Sequence, residues 1–184
     1  MVRSFAITSI CALFFVGCTT KAQLTYHPVI PTQKAKNIGL KVESFDDQRQ
    51  RKLAVGAIRN LYGMPIITIK TDSNVPDWIS TAFKAELTNA GYDMIEDNSQ
   101  YVIEGKILNV FSNAHFMYQG NLLVEIALKK DRAIVFEKQY ETNKNRGINW
   151  IASPTQCMNA LENNLQEVCK QFINDLNEKL SPTE

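Results

Sequence analysis

The spacing of hydrophobic and polar positions divides the chain into an apolar start, several alternating stretches and two amphipathic stretches. Residues 5–16 are predominantly apolar. Alternation with a period of two indicates a β-strand, and it is clearest over residues 121–129, where Leu122 begins a series of apolar residues at every second position. We predict further strands at 38–45, 65–70, 101–110 and 133–140.

Two helices are predicted from apolar residues that recur three and four positions apart. The first begins at Pro76, a favoured first helical residue, and ends before Gly91, a favoured left-handed terminator. The second begins at Pro154 with Ser153 as its N-cap. Its apolar stripe runs over residues 158–180, and we expect this stripe to pack into the core.

The predicted order is therefore strand, strand, helix, three strands, helix, or ββαβββα. This order indicates an α+β fold, a two-layer sandwich with a mostly antiparallel sheet of about five strands and two helices on one face. Residues 53–65 and 144–152 are expected to be irregular connections. Residues 37–184 are expected to form a single α+β domain.

The apolar start predicts a secretory leader over residues 1–17. It combines the basic Arg3 with a short apolar run that ends at Gly17 and Cys18. As a helix, a run of this length would reach roughly 18 Å, short of the roughly 30 Å of a hydrocarbon core. Residues 18–36 contain two prolines and no clear period, and we predict a flexible tether that spans roughly 50 Å when extended.

The end of this leader resembles the lipobox of bacterial lipoproteins. The four residues that carry the resemblance are Phe15, Val16, Gly17 and Cys18. The resemblance implies cleavage before Cys18, which would then carry acyl chains such as palmitate and anchor the protein in a membrane. Because Thr19 rather than Asp follows, the resemblance implies the outer membrane, with the protein facing the periplasm. The alternative is an ordinary secreted protein that is cut later, for example after Ala22.

The charge balance excludes some classes of partner. Removal of Arg3 with the leader leaves 19 basic and 19 acidic side chains, so the remaining chain is close to neutral. A neutral chain without a basic stripe does not have the electrostatic character of a nucleic-acid-binding protein. It also has no dense basic cluster that could act as a second, electrostatic membrane anchor.

The cysteines predict no internal disulfide. Cys11 lies in the leader, and Cys18 is the expected lipid acceptor. Cys157 and Cys169 lie on one predicted helix, about 18 Å apart, whereas a disulfide needs Cα atoms within about 7 Å. We expect both to be buried thiols, the alternative being a bond to another chain.

No arrangement of residues typical of a catalytic or metal site is found. The two histidines, His27 and His115, do not belong to any zinc-binding or catalytic motif. Asp46 and Asp47 lie next to basic residues, which keep carboxylates ionised and unsuited to general acid catalysis. We therefore expect a protein that is not an enzyme, with no cofactor, no metal and no small-molecule substrate.

Two groups of residues are candidates for partner binding. Arg49 and Arg51 follow the two aspartates, and they form either a solvated turn braced by an Asp47–Arg49 bond or a docking point for an anion or a partner. The second group is Phe116, Met117, Tyr118 and Trp150. Aromatic residues and methionine in loops are either docking anchors or lids tucked under a sheet edge.

The chain resembles the YajG-like family of uncharacterised bacterial lipoproteins. The resemblance rests on Cys18, on Asp47 and Arg49 with Gly56 seven residues further on, on the helix end Ala90-Gly91-Tyr92, and on the long C-terminal helix. It implies an outer-membrane lipoprotein that faces the periplasm, with no assigned catalytic residue. We expect a docking or assembly subunit that acts through contacts with other envelope proteins. The alternative is a carrier of lipid or small apolar ligands in a transport system, which requires a cavity between sheet and helices.

Overall fold

The computed structural model describes residues 18–148 and 153–180, and these form two helices and a nine-stranded mixed sheet. The predicted leader and Trp150 lie outside the described residues. The strands are β1 (Cys18–Lys21), β2 (Gly39–Val42), β3 (Asp46–Asp47), β4 (Ala54–Arg59), β5 (Pro65–Lys70), β6 (Asp93–Met94), β7 (Tyr101–Ala114), β8 (Met117–Lys130) and β9 (Ala133–Ile148). The helices are α1 (Val75–Asn89), between β5 and β6, and α2 (Pro154–Leu180), at the end.

Strand β7 is the centre of the sheet. Along one edge it pairs antiparallel with β8 over almost its full length, and β8 pairs in the same way with β9. Along its other edge it pairs in parallel with three short strands in succession, β2, β3 and β4. The first strand was predicted over residues 38–45, but only β2 falls within that range, and β3 is a separate short strand just beyond it.

The remaining strands extend the sheet beyond these short pieces. β4 and β5 form an antiparallel hairpin, β1 adds to β5 in parallel, and β6 adds to β2 in parallel. The expectation of about five strands was therefore wrong, and so was the order ββαβββα. The α+β class with two helices and a mostly antiparallel sheet is confirmed.

The N-terminal and C-terminal signals of α1 act as predicted. Asn74 caps the helix by accepting a hydrogen bond from the backbone N–H of Asp77, and a proline lies at its start. Gly91 follows the helix with φ of +85°, in the left-handed region that favours glycine. Tyr92 folds back into the core, where it is buried, and its backbone N–H donates to the carbonyl of Leu87.

Helix α2 begins at Pro154, as predicted, and its apolar stripe is buried. Its Phe172 ring lies in a cluster of aromatic rings between the layers, 5.5 Å from Phe83, 5.9 Å from Phe136 and 6.0 Å from Tyr140 between ring centroids. Both helices contribute to one hydrophobic core with the sheet and pack against each other. Within the described ranges, no helix is long and apolar enough to cross a membrane.

Two stretches predicted to be irregular are strands. Residues 54–59 form β4 because Gly56 permits a close approach to β7, where a Cβ at this position would lie 2.9 Å from the carbonyl oxygen of Ser112. The glycine that suggested a loop therefore marks a tight strand pairing. Residues 144–148 continue β9, which pairs only with β8 among the described strands. An outer strand of this kind does not need apolar residues at every second position, so the sequence pattern does not reveal it.

The predicted tether also differs from the structure. Its first four residues form β1, and residues 22–36, which we call the strap, run across both helices. Leu24, Tyr26 and Ile30 pack against the core, whereas Val29 is exposed. The sequence does suggest that Leu24, Tyr26, Val29 and Ile30 touch the domain, but a segment without a regular apolar period gives no sign that it is fixed along its length.

A buried carboxylate holds the strap in place. Glu86 of α1 is completely buried and accepts hydrogen bonds from the Tyr26 hydroxyl at 2.6 Å and from the backbone N–H groups of Val29 at 2.8 Å and Ile30 at 2.9 Å. Burial, together with nearby Cys169 and Glu86, raises the pKa of Tyr26 far above its ordinary value, so its hydroxyl stays a donor. The strap is therefore fixed to the domain by a specific polar contact.

Candidate functional site

The helix-free face of the sheet carries a polar groove of about 640 Å³. Its floor is formed by outward-facing residues of β7, β8 and β9, and the segment between β3 and β4 forms one wall. Its walls are rich in amide and guanidinium groups, contributed by Gln48, Arg49, Gln50, Arg51, Arg59, Asn109, Asn113, Gln119, Asn121 and Asn143, together with Leu108, Val110 and Phe111. We call this the arginine–amide groove.

Arg49 is the buried charge of the groove. Its Nε and Nη2 donate to the two carboxylate oxygens of Asp47, each at 2.8 Å, and Nη2 also donates to the carbonyl of Lys52 at 3.1 Å. The hydrogen bonds from Arg49 hold the pKa of Asp47 below its usual range, against the opposing effect of burial. Arg49 is 5% exposed, and its buried Nη1 has no hydrogen-bond partner among residues 18–148 and 153–180. A guanidinium nitrogen in this state has hydrogen-bonding capacity that the described residues do not use.

The floor of the groove is a set of paired amides. Asn109 Nδ2 donates to Asn121 Oδ1, and Gln119 Nε2 donates to Asn143 Oδ1 at 2.6 Å. Each of these bonds uses one polar atom of each amide and holds the side chain in a fixed orientation. Amides offer both donors and acceptors, so this floor suits a polar partner.

A second feature lies at one end of the sheet, where the β4–β5 and β7–β8 turns meet. Because β4 runs parallel to β7 and Ile58 pairs with Ala114, both strands reach their turns side by side. The exposed apolar residues of the two turns are Leu61, Tyr62, Met64, Phe116 and Met117, which we call the tip cluster.

Polar contacts join the two turns of the tip cluster. Arg59 donates to the Asn113 side chain at 3.0 Å and to the Gly63 carbonyl at 2.8 Å. A ring nitrogen of His115 lies 3.3 Å from the Leu61 carbonyl, and its ring contacts that of Phe116. Since Arg59 also lines the arginine–amide groove, the groove and the tip cluster are neighbours.

The turn between β4 and β5 is built to expose its apolar side chains. Asn60 Oδ1 accepts hydrogen bonds from the backbone N–H groups of Tyr62 and Met64, both at 3.0 Å, and Gly63 has φ of +79°. These constraints are local, and they direct Leu61 and Tyr62 outward, where they are 76% and 87% exposed.

The predicted partner-binding residues fall into separate places. Arg49 and Arg51 line the groove, and Asp47 braces Arg49 as the first interpretation of this segment expects, whereas its role as a docking point stays a prediction. Phe116 and Met117 are exposed in the tip cluster. Tyr118 is instead buried, with its hydroxyl accepting from the Ser153 N–H at 3.2 Å, so the tucked alternative holds for this residue. The prediction for Trp150 lies outside the described residues.

Sequence reasoning missed most of both features. Leu61, Tyr62 and Met64 were placed in an irregular connection, although an apolar run around a glycine is a signal for an exposed turn. The paired amides were missed because their alignment depends on the register of β7, β8 and β9. That register is set by contacts between distant parts of the chain.

The cysteines are all unpaired within the part of the chain that is described. Cys18 is exposed at the start of β1, whereas Cys157 and Cys169 are buried. Burial raises the pKa of both buried thiols, which keeps them protonated and unreactive. Over residues 18–148 and 153–180, no group of three or more His, Cys, Asp or Glu side chains is placed to hold a metal ion.

Comparison with known proteins identifies the fold. No family model matches the chain, so the YajG-like family stays a prediction, and no curated protein matches it either. Among solved structures, protein XCC0632 from Xanthomonas campestris, assigned to the family model DUF330, is 12% identical with a TM-score of 0.63, covering 87% of this chain and 96% of its own. The hypothetical protein CT253 from Chlamydia trachomatis is 8% identical with a TM-score of 0.55, covering 82% of this chain and 100% of its own. Lipoprotein GNA1162 from Neisseria meningitidis is 8% identical with a TM-score of 0.41, covering 77% of this chain and 99% of its own. The chain therefore shares its fold with the DUF330 protein XCC0632 and with CT253.

Proposed function

We propose that this protein is a lipid-anchored docking or assembly subunit of the bacterial outer envelope, facing the periplasm and acting by protein–protein contacts. The anchor is a lipid on Cys18, whose exposed position at the start of β1 leaves its sulfur accessible. The arginine–amide groove is the surface that binds the partner, and the protein performs no catalysis and uses no cofactor.

The observation that carries the proposal is the state of Arg49 in the groove. Its Nη1 is buried and finds no partner in the described part of the chain, and a buried donor left unsatisfied costs about 1–3 kcal/mol. A carboxylate of a bound partner removes that cost once the groove wall moves enough to admit it to Nη1, and Arg51 and Arg59 add positive charge along the same groove. The partner therefore presents an extended segment with at least one acidic side chain.

The paired amides complete this arrangement. A peptide segment that crosses the floor offers backbone N–H and C=O groups, and amides can pair with both. The side chains of Asn121 and Asn143 are already oriented by their bonds to neighbours, so binding orders few additional groups.

The alternative function, a carrier of lipid or small apolar ligands, has less support. It requires space between the sheet and the helices, and Phe172 fills that region together with Phe83 and Tyr140. The groove itself lies on the opposite face and is lined mainly by polar side chains.

Photo-crosslinking in living cells tests the proposal. A photoreactive amino acid is placed at Arg51 or Asn143 in the groove, and at Lys170, an exposed position on α2, as the control. The expected result is a discrete adduct with an envelope protein from the groove positions alone, with the linked peptide containing Asp or Glu.

A charge reversal provides the second arm of that test. Arg51→Glu, combined with the photoreactive residue at Asn143, is expected to abolish the adduct. Equal labelling from Lys170, or an adduct that survives the charge reversal, would contradict the groove as the docking surface. Mass spectrometry of the N-terminus checks the anchor separately, and an unmodified start beyond Cys18 would remove it.

A further inference from the structure

The tip cluster exposes a large apolar surface that the groove does not use. Five apolar side chains project from two adjacent turns, and the most exposed, Leu61 and Tyr62, lie at the end of the β4–β5 hairpin. A contiguous exposed patch of this kind marks a surface that contacts an apolar partner or a membrane.

The register of β1 places Cys18 at this same end of the sheet. Cys18 pairs with Ile67, and β1 runs parallel to β5, which begins at Pro65 directly after the turn. Two residues of strand correspond to about 7 Å, and neighbouring strands lie about 4.8 Å apart. Cys18 thus lies beside the tip cluster.

The two ends of the sheet differ sharply in charge. Residues 60–66 and 114–118 contain no Asp, Glu, Lys or Arg, and His115 is the only titratable side chain among them apart from two tyrosines. The opposite end carries Lys130, Asp131 and Arg132 in the β8–β9 turn, and Glu96 and Asp97 before β7. Charged groups are costly in a bilayer. Arg59 is the charge that borders the tip cluster, and its guanidinium is directed to Asn113 and the Gly63 carbonyl, so the tip end is better suited to enter a bilayer than the opposite end.

We propose that the tip cluster is a membrane-contacting surface that enters the bilayer beside the lipid on Cys18. Tyr62 provides an aromatic ring of the type enriched at the membrane interface, and Leu61, Met64 and Phe116 provide apolar surface for the boundary between headgroups and acyl chains. This inference rests on the proposed lipid anchor, and it fixes the orientation of the domain on the membrane. The sheet then stands on its tip end, with its strands directed away from the bilayer.

Tryptophan fluorescence in vesicles with brominated acyl chains tests this orientation. The full lipidated protein is reconstituted as the Tyr62→Trp variant, with Ile134→Trp as the matched control. Both positions are exposed and apolar. Ile134 lies near the start of β9 and pairs with Lys129 at the opposite end of the sheet, roughly 40 Å from the tip cluster along the strands. Emission is compared with the parent protein, because Trp78 and Trp150 also contribute.

The expected result is a blue shift and bromine quenching of the tryptophan added at Tyr62, with neither change at Ile134. A blue shift without quenching would overturn the proposal in favour of a protein contact, such as a second copy of this chain. Equal quenching at both positions, or none at either, would also overturn it. Mass spectrometry of the same sample separates the two hypotheses, because a lipidated protein without quenching refutes the orientation while the anchor stands.

Discussion

The buried carboxylate of Glu86 is predicted to control whether the strap is fixed to the domain. The substitution Glu86→Gln keeps the size of the side chain but replaces one acceptor oxygen with an NH2 group. In the native chain one oxygen accepts from Tyr26 and Val29 and the other accepts from Ile30. Whichever way the amide is turned, its NH2 group faces at least one donor of the strap.

The size of the effect follows from these three bonds. A hydrogen bond to a charged group contributes about 1.5–3 kcal/mol, and at least one such bond is lost while the others become neutral. Burying a neutral amide is less costly than burying a carboxylate, which offsets part of the loss. We expect a net cost of about 2–3 kcal/mol, which raises the opening equilibrium of the strap roughly 30- to 150-fold.

Native-state hydrogen exchange measures this directly. The amides of Val29 and Ile30 donate to Glu86, so their exchange reports the opening of the strap. Amides in the centre of β8 report global unfolding. The control is Thr88→Ala, an exposed substitution on the same helix that removes only a local bond to the Lys84 carbonyl. We expect faster exchange of the strap amides in Glu86→Gln and no such change in the control.

Two outcomes would refute this reasoning. Unchanged exchange at Val29 and Ile30 would mean that the carboxylate does not hold the strap. An equal increase at the strap and at β8 would mean that the strap opens only when the whole domain unfolds. In either case the strap could not be treated as a separate element.

Three further predictions concern the stability of the domain. Gly91→Ala is expected to lower the free energy of unfolding, measured in urea, clearly more than Gly63→Ala. Both glycines have positive φ, which makes Gly63→Ala cost about 1–2 kcal/mol, but only at Gly91 would the added Cβ also meet a strap carbonyl, at 2.2 Å. Asp47→Asn is expected to cost about 1–3 kcal/mol at pH 7. Since Arg49 lowers the folded-state pKa of Asp47, this contribution is present above the unfolded-state pKa and is lost as the pH falls through the folded-state pKa, so urea titrations of the two proteins should converge in acid. Phe172→Ala is expected to cost about 3–5 kcal/mol in thermal or urea unfolding, because this fully buried ring packs against three other aromatic rings.

The sequence was most informative where a regular hydrophobic pattern extends over many residues. The second helix and β8 follow from their own residues, because every third or fourth residue in one and every second residue in the other faces the core. β4 could not be found in this way. It contains Gly56, whose role depends on the Ser112 carbonyl of β7, more than fifty residues away.

The strap shows the same difficulty for polar contacts. Glu86 stands within the apolar face of α1, between Phe83 and Leu87, and a carboxylate at such a position is a signal of a buried partner. The sequence does not identify that partner, because Tyr26 is sixty residues away and lies in a segment without any period. The positions of the groove and the tip cluster depend on strand register in the same way.

The fixed strap changes what a lipid anchor on Cys18 would do. An extended tether of residues 18–36 would let a partner bind roughly 50 Å from the bilayer. In the structure, β1 and the strap hold Cys18 at the tip end instead. Arg49 lies near the level of Ile107, which is seven residues from the end of β7, or about 23 Å along the strand. In the proposed orientation, a partner bound in the groove therefore lies close to the membrane surface. Its distance from the bilayer is about half of what an extended tether would allow.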